Sequence, residues 1–111
     1  MKPYSLSVPA RLDLLGIREY LLPAPRPIQA KILAELSEGF RQIGDFPFSG
    51  RHEPYFSNET SGPIRSIGVH PYRVFYREET SPVMIVAILH GAQDIPSILR
   101  GRQSPSATPL T

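Results

Sequence analysis

No cysteine occurs among the 111 residues, which excludes a disulfide framework, a thiolate metal site and a cysteine nucleophile, and leaves the redox compartment open. Nor is there an apolar run approaching the roughly 20 residues that span a bilayer. The opening residues Met1-Lys2-Pro3-Tyr4-Ser5 lack the apolar stretch of a signal peptide, so the expectation is a cytoplasmic chain without membrane contact. Lysine is scarce: ten of the twelve basic residues are arginine, which favours forked recognition of carboxylate or phosphate over diffuse steering. With a formal charge of only +2, an acidic protein and a nucleic acid both stay open as partners. Phosphate loops and Gly-x-Ser-x-Gly turns are missing. His52, His70 and His90 are far apart in sequence and form no i,i+4 pair, so neither a metal nor a cofactor is expected.

What is present fits a single domain over residues 1–100, followed by a polar, proline-containing tail over 101–111 that is expected to be flexible. Tyr4, Leu6 and Val8 alternate with polar residues as in a half-buried strand, which Pro9 is expected to end because it has no N–H for the ladder. From Ala10 the period changes, and Leu14, Ile17 and Leu21 form one helical stripe with Asp13 and Glu19 on other faces. The segment Pro23-Ala24-Pro25-Arg26-Pro27 reads as a hinge. A second helix starting near Ile28 places Ile32, Leu36, Phe40 and Ile43 on one side, flanked by Leu33, and Gly44-Asp45 stops it.

Phe46 to Arg51 then reads as an ordered loop. Residues 52–63, with Asn58, Glu59 and the trio Pro54-Tyr55-Phe56, read as a loop that packs its aromatics, a short edge strand being the alternative. Three β-rich runs follow: Ile64 to Val69, Tyr72 to Arg77 and Val83 to Leu89, joined at His70-Pro71 and at Glu79-Thr80-Ser81-Pro82. The last run is apolar without alternation and is expected to be an interior strand. Asp94 can cap a short helix from Ile95 to Leu99. The expected fold is therefore α+β: a strand, a helical hairpin, a three-stranded antiparallel meander and a short C-terminal helix.

The candidate functional groups lie on the meander and its rim. Arg73, Phe75 and Arg77 project to the side opposite Tyr72, Val74 and Tyr76, and Arg65 lies on the preceding strand. If helices cover one face, these arginines share the other face or the open end. Arg73 is either a partner contact or a surface ion pair with Glu53, Glu78 or Asp94. His90, directly after the last strand, is either a base or a hydrogen-bonding cap of the strand end.

The blocks Ile64-Arg65, Tyr72-Arg73-Val74-Phe75-Tyr76 and Leu89-His90-Gly91-Ala92 resemble the ParE branch of the RelE/ParE toxin superfamily, plasmid-stabilisation proteins of bacterial toxin–antitoxin pairs. Ala10, Asp13-Leu14, Ile17 and Tyr20 are similar to the first family helix, Ala30 and Leu33 to the second, and Pro47 with Gly50-Arg51 to the linking loop. The resemblance implies a toxin that inhibits DNA gyrase by binding, neutralised by a cognate antitoxin in a hetero-oligomer, with Arg51, Arg65, Arg73, Arg77, His90, Gln93 and Asp94 as partner-binding residues. The antitoxin is expected to fold on binding and to bring acidic groups to Arg65, Arg73 and Arg77. Its alternative is ribosome-dependent messenger RNA cleavage of the RelE kind, with Arg73 and His90 catalytic. Of the basic set that such cleavage implies, only Arg73 matches: Ile64 and Ser66 stand where two lysines are expected, Gln93 at an arginine position and Leu99 at a tyrosine position. Gln93 also departs from the usual ParE pattern His-Gly-Ala-Arg-Asp, which leaves a third reading, a degenerate toxin that only binds its antitoxin.

Overall fold

The structure is a computed structural model that describes residues 4–57, 62–78 and 81–103. Its elements in order are β1 (Tyr4–Leu6), α1 (Val8–Leu21), α2 (Arg26–Asp45), β2 (Arg51–His52), a single 3-10 turn (Pro54–Phe56), β3 (Ile64–Val69), β4 (Tyr72–Arg77), β5 (Val83–His90) and α3 (Ile95–Gln103). Asn58, Glu59, the Glu79-Thr80 half of the last turn and residues 104–111 of the expected tail lie outside the described residues.

The five strands make one sheet in the order β1-β5-β4-β3-β2. The three long strands are the expected antiparallel meander. Strand β1 pairs with β5 in parallel, Tyr4 opposite Val83 and Leu6 opposite Ile85, and β2 adds two residues to the far edge of β3. The segment around residue 52 thus contains both alternatives, a two-residue edge strand and then an aromatic-bearing turn.

The first helix starts earlier than expected. Ser7 is its N-cap, its hydroxyl accepting from Ala10 N at 3.2 Å, and Pro9 sits in the first turn, where a missing N–H costs nothing. Proline here opens a helix where it was expected only to end a strand. The last helix runs later than expected, through Gln103, so three residues assigned to the tail are helical.

Each face of the sheet carries its own core. On one side α1 and α2 deliver Ala10, Ile17, Leu21, Leu36, Phe40 and Ile43 onto Tyr72, Val74, Tyr76, Val83, Ile85 and Ile88. On the other, α3 and the 3-10 turn cover Ile64, Phe75, Ala87 and Leu89 with Leu99, Ile95, Ile98 and Phe56. Two covered faces account for the unbroken apolar run of β5. A bulge contributes as well: pairing passes from Phe75 opposite Ala87 to Tyr76 opposite Ile85, so Val86 is the extra residue and packs on the same face as Ala87.

Candidate functional site: an arginine row and a turn at the rim of the sheet

Strand alternation sends Arg73, Phe75 and Arg77 to the α3 face, as expected. Phe75 is buried beneath Leu99, and the two arginines flank it half-buried. Arg73 does not form any of the direct ion pairs considered above. Its Nη2 donates to the Ser66 hydroxyl at 2.7 Å, Ser66 donates to Glu53 Oε2 at 2.7 Å, and Arg51 Nη2 donates to the same carboxylate oxygen at 2.9 Å. Ser66 is 1% exposed. The Arg73 guanidinium is thus fixed through a buried hydroxyl to a carboxylate, while its own Nε is buried with no hydrogen-bond partner among the described residues.

Arg65 does not join this row. It follows the alternation of Ile67 and Val69, which pack toward the helices, and so lies on the opposite face from Arg73 and Arg77. There it donates from Nε to Glu78 at 2.7 Å and from Nη1 to Gly50 O at 2.9 Å, with its guanidinium 5.4 Å over the Phe48 ring. The expectation that Arg65 shares a rim with Arg73 and Arg77 is thereby corrected. Its role is to tie the loop after α2 to the sheet, together with Tyr76, whose hydroxyl donates to Pro47 O at 2.8 Å and accepts from Gly50 N at 3.0 Å.

The open end of the sheet is closed by the turn after β5. His90 Nδ1 accepts from Ala92 N at 3.0 Å, His90 N donates to Gln93 Oε1 at 2.6 Å, and Gln93 N donates to His90 O at 3.0 Å. The imidazole also meets the Tyr72 ring edge-on, 5.6 Å between centroids. His90 is therefore a structural cap in this arrangement, with one ring nitrogen committed to backbone. Asp94 begins α3, its Oδ1 accepting from Ser97 N at 3.4 Å.

Two shallow grooves flank this turn. One, about 560 Å³, runs past Gly68, His70, Arg73 and His90. The other, about 520 Å³, lies between α1 and the end of β5 and is lined by Leu12, Gly16, Tyr20, Tyr72, His90 and Gln93. Burial, with a smaller contribution from Tyr20, pushes the Tyr72 hydroxyl above its ordinary range.

Two features escaped sequence reasoning. Asp13 and Arg102 form a forked ion pair at 2.6 and 2.8 Å, and α1 with its C-cap Leu22 carries a second apolar stripe: Val8, Leu12, Leu15 and Leu22 are each more than half exposed. That stripe repeats at four, three and seven residues, a helical period visible in the sequence once both sides of the helix are counted.

Among the described residues no group of three or more His, Asp or Glu could hold a metal ion, and no helix is long and apolar enough to cross a membrane. The chain is thus a small α+β domain, a helical hairpin on one face of a sheet with an arginine row on the other and a capped rim. The family model described as ParE toxin of type II toxin-antitoxin system, parDE, matches residues 4–95, and the chain belongs to that family. It is accordingly a type II toxin, and membership implies an antitoxin partner. No curated protein matches the sequence.

Proposed function

We propose that this toxin acts in the cytoplasm by binding DNA gyrase and holding its cleaved DNA complex, and that a cognate antitoxin neutralises it by covering the same surfaces. The observation that carries this reading is the environment of the positions a superfamily ribonuclease would use. Such an enzyme needs basic groups to activate a 2′-hydroxyl, to balance charge on the phosphorane and to protonate the leaving oxygen. Here Ile64, Ser66 and Leu99 are each 1% exposed, and Arg73 and His90 are both engaged in hydrogen bonds within the fold. A site of that kind would retain one cation and lack the rest of its charge stabilisation.

Recognition of proteins suits the surface better. The apolar stripe of α1 fits the apolar side of an amphipathic antitoxin segment, and acidic groups on the same wrapping partner would meet Arg73 and Arg77. Arg51, His90, Gln93 and Asp94 remain proposed contacts at the rim. The test is a gyrase supercoiling assay run beside a translation-coupled RNA cleavage assay with the purified chain. Inhibited supercoiling with intact messenger supports the proposal, and messenger cleavage that disappears in Arg73→Ala overturns it.

A second reading is motivated by Gln93. Its carboxamide oxygen accepts from His90 N, a task arginine cannot perform because it has no acceptor. A rim reshaped in this way could bind an antitoxin without poisoning a target. Unchanged growth on expression without antitoxin, with arrest appearing in Gln93→Arg, would favour that reading.

A further inference from the structure

We infer that, on the reading of gyrase as the target, the loop Phe46-Pro47-Phe48 is an anchor for gyrase alone. Its two phenylalanine rings enter an uncharged apolar cleft of that protein, while the antitoxin acts through the α1 and arginine surfaces it shares with gyrase. Neither ring belongs to either core. Phe46 is 65% and Phe48 71% exposed, two residues apart on one loop.

Their presentation is fixed from below. The Tyr76 hydroxyl donates to Pro47 O and accepts from Gly50 N. Arg65 Nη1 donates to Gly50 O at 2.9 Å and reaches Phe48 O at 3.4 Å, while its guanidinium lies over the Phe48 ring. Phe46 N donates to Gln42 O at 2.8 Å, Ser49 N donates to Phe46 O at 3.0 Å, and the Pro47 ring restricts the one residue between the phenylalanines. A loop tied in this way loses little freedom on binding, and rigid aromatic side chains are the common anchors of protein interfaces.

Charge and area decide what the rings meet. Asp45 before the loop is held by Arg41, Arg51 after it by Glu53, and Arg65 beneath it by Glu78. An acidic antitoxin segment therefore gains no ion pair here, and an uncharged apolar cleft is the matching surface. The exposed parts of the two rings amount to about 250–300 Å², taking roughly 200 Å² for each whole ring. Two copies meeting through this ridge would bury about 500–600 Å², half of the roughly 1,200 Å² at which stable interfaces begin. The ridge is thus too small to hold a second copy and suits the centre of a wider interface. It lies at the Tyr76 end of β4, about 13 Å along the strand from Tyr72, which pairs with His90 at the rim, so a partner seated at the rim leaves it free.

The test measures equilibrium binding of the purified full chain to gyrase and, in parallel, to the antitoxin. Phe46→Ser combined with Phe48→Ser is expected to weaken gyrase binding at least thirtyfold, with antitoxin binding within threefold of the wild type and the urea midpoint unchanged. Tyr55→Ser removes an aromatic that is 69% exposed elsewhere and is expected to leave both affinities as they were. Gyrase binding kept by the double variant, equal losses for both partners, an equal loss in Tyr55→Ser, or wild-type dimers that dissociate in the double variant would each overturn the anchor alone. A wild-type chain that does not bind gyrase at all would overturn the target reading and the anchor with it. The milder Phe48→Leu is expected to weaken gyrase binding about fivefold, and an unaltered affinity there contradicts the anchor even where the double variant failed to fold.

Discussion

Asp13 and Arg102, 89 residues apart, close the open edge of β5 between them. Strand β1 pairs with β5 only as far as Ile85, and Ser7 N adds one more bond to Ile85 O at 2.9 Å. Beyond that point Ile88 N donates to Asp13 Oδ2 at 2.9 Å and Val86 O accepts from Arg102 Nη1 at 3.1 Å. Two side chains thus stand in for the missing strand, and their mutual ion pair locks α3 against α1.

Removing either side chain should therefore cost more than an ordinary surface pair, which contributes at most about 1 kcal/mol. Asp13→Ala leaves both the Ile88 N–H and a partly buried guanidinium without their acceptor, so the expected loss is about 2–3 kcal/mol. Arg102→Ala should cost about 1–2 kcal/mol, because Val86 O can be satisfied by water. Urea unfolding of the two single variants and the double variant checks this order, and a double variant as destabilised as the sum of the two would argue against coupling.

A chain ending at Arg100 should lose as much stability as Arg102→Ala, whereas one ending at Gln103 should not. Thermal melts of the two truncations decide whether the domain boundary lies before residue 101 or after 103.

Tyr76 ties β4 to the loop after α2, and Gly50 makes that contact possible: a Cβ there would approach the Tyr76 hydroxyl to 2.5 Å and Ser66 O to 2.8 Å. Tyr76→Phe strands Pro47 O and Gly50 N and should cost about 1–3 kcal/mol. Gly50→Ala should cost a comparable amount, because a backbone oxygen cannot move aside as a flexible side chain does. Chemical denaturation of both variants is the measurement.

The same tyrosine sets a pH dependence. Burial pushes the Tyr76 hydroxyl above its ordinary value of 10.0, partly offset by the hydrogen bond from Gly50 N. The neutral phenol is thus favoured by the folded state, so stability is fully present below about pH 10 and falls as pH rises from there toward the higher folded value. Tyr72 shifts in the same direction. Stability measured from pH 8 to 11 should decline above 10, with a shallower slope in Tyr76→Phe; an identical slope would assign the decline elsewhere.

Much of this architecture was legible in the chain because its periodicities are unambiguous. The stripe of Leu36, Phe40 and Ile43 could only be a helix face, and the alternation of Tyr72, Val74 and Tyr76 against Arg73, Phe75 and Arg77 could only be a strand. Pro9 misled because the same missing N–H suits a strand end and a helix start, and Ser7, two residues before it, held the deciding signal as an N-cap. Arg65 misled for a different reason. Its face is set by the register of β3 on β4, Arg65 opposite Tyr76, and register is a relation between strands that neither run states alone. The Asp13–Arg102 pair lay deeper still, since no local pattern links residues 89 positions apart.

The exposed stripe on α1 should separate binding from stability. Leu15→Glu sits in solvent and should change the unfolding free energy by no more than about 0.5 kcal/mol, while weakening capture of the antitoxin at least tenfold. Calorimetric titration with the co-expressed antitoxin checks this; unaltered affinity would move the antitoxin to the Arg73 and Arg77 face.

The most direct test of a toxin that grips its target without bond-breaking chemistry of its own is a cleavage-complex assay with purified gyrase and supercoiled plasmid, stopped with detergent and protease. The account predicts that linear DNA accumulates with the toxin added until it saturates, and disappears when antitoxin is supplied first. No linear DNA at saturating toxin, together with catalytic loss of messenger on programmed ribosomes, would contradict it.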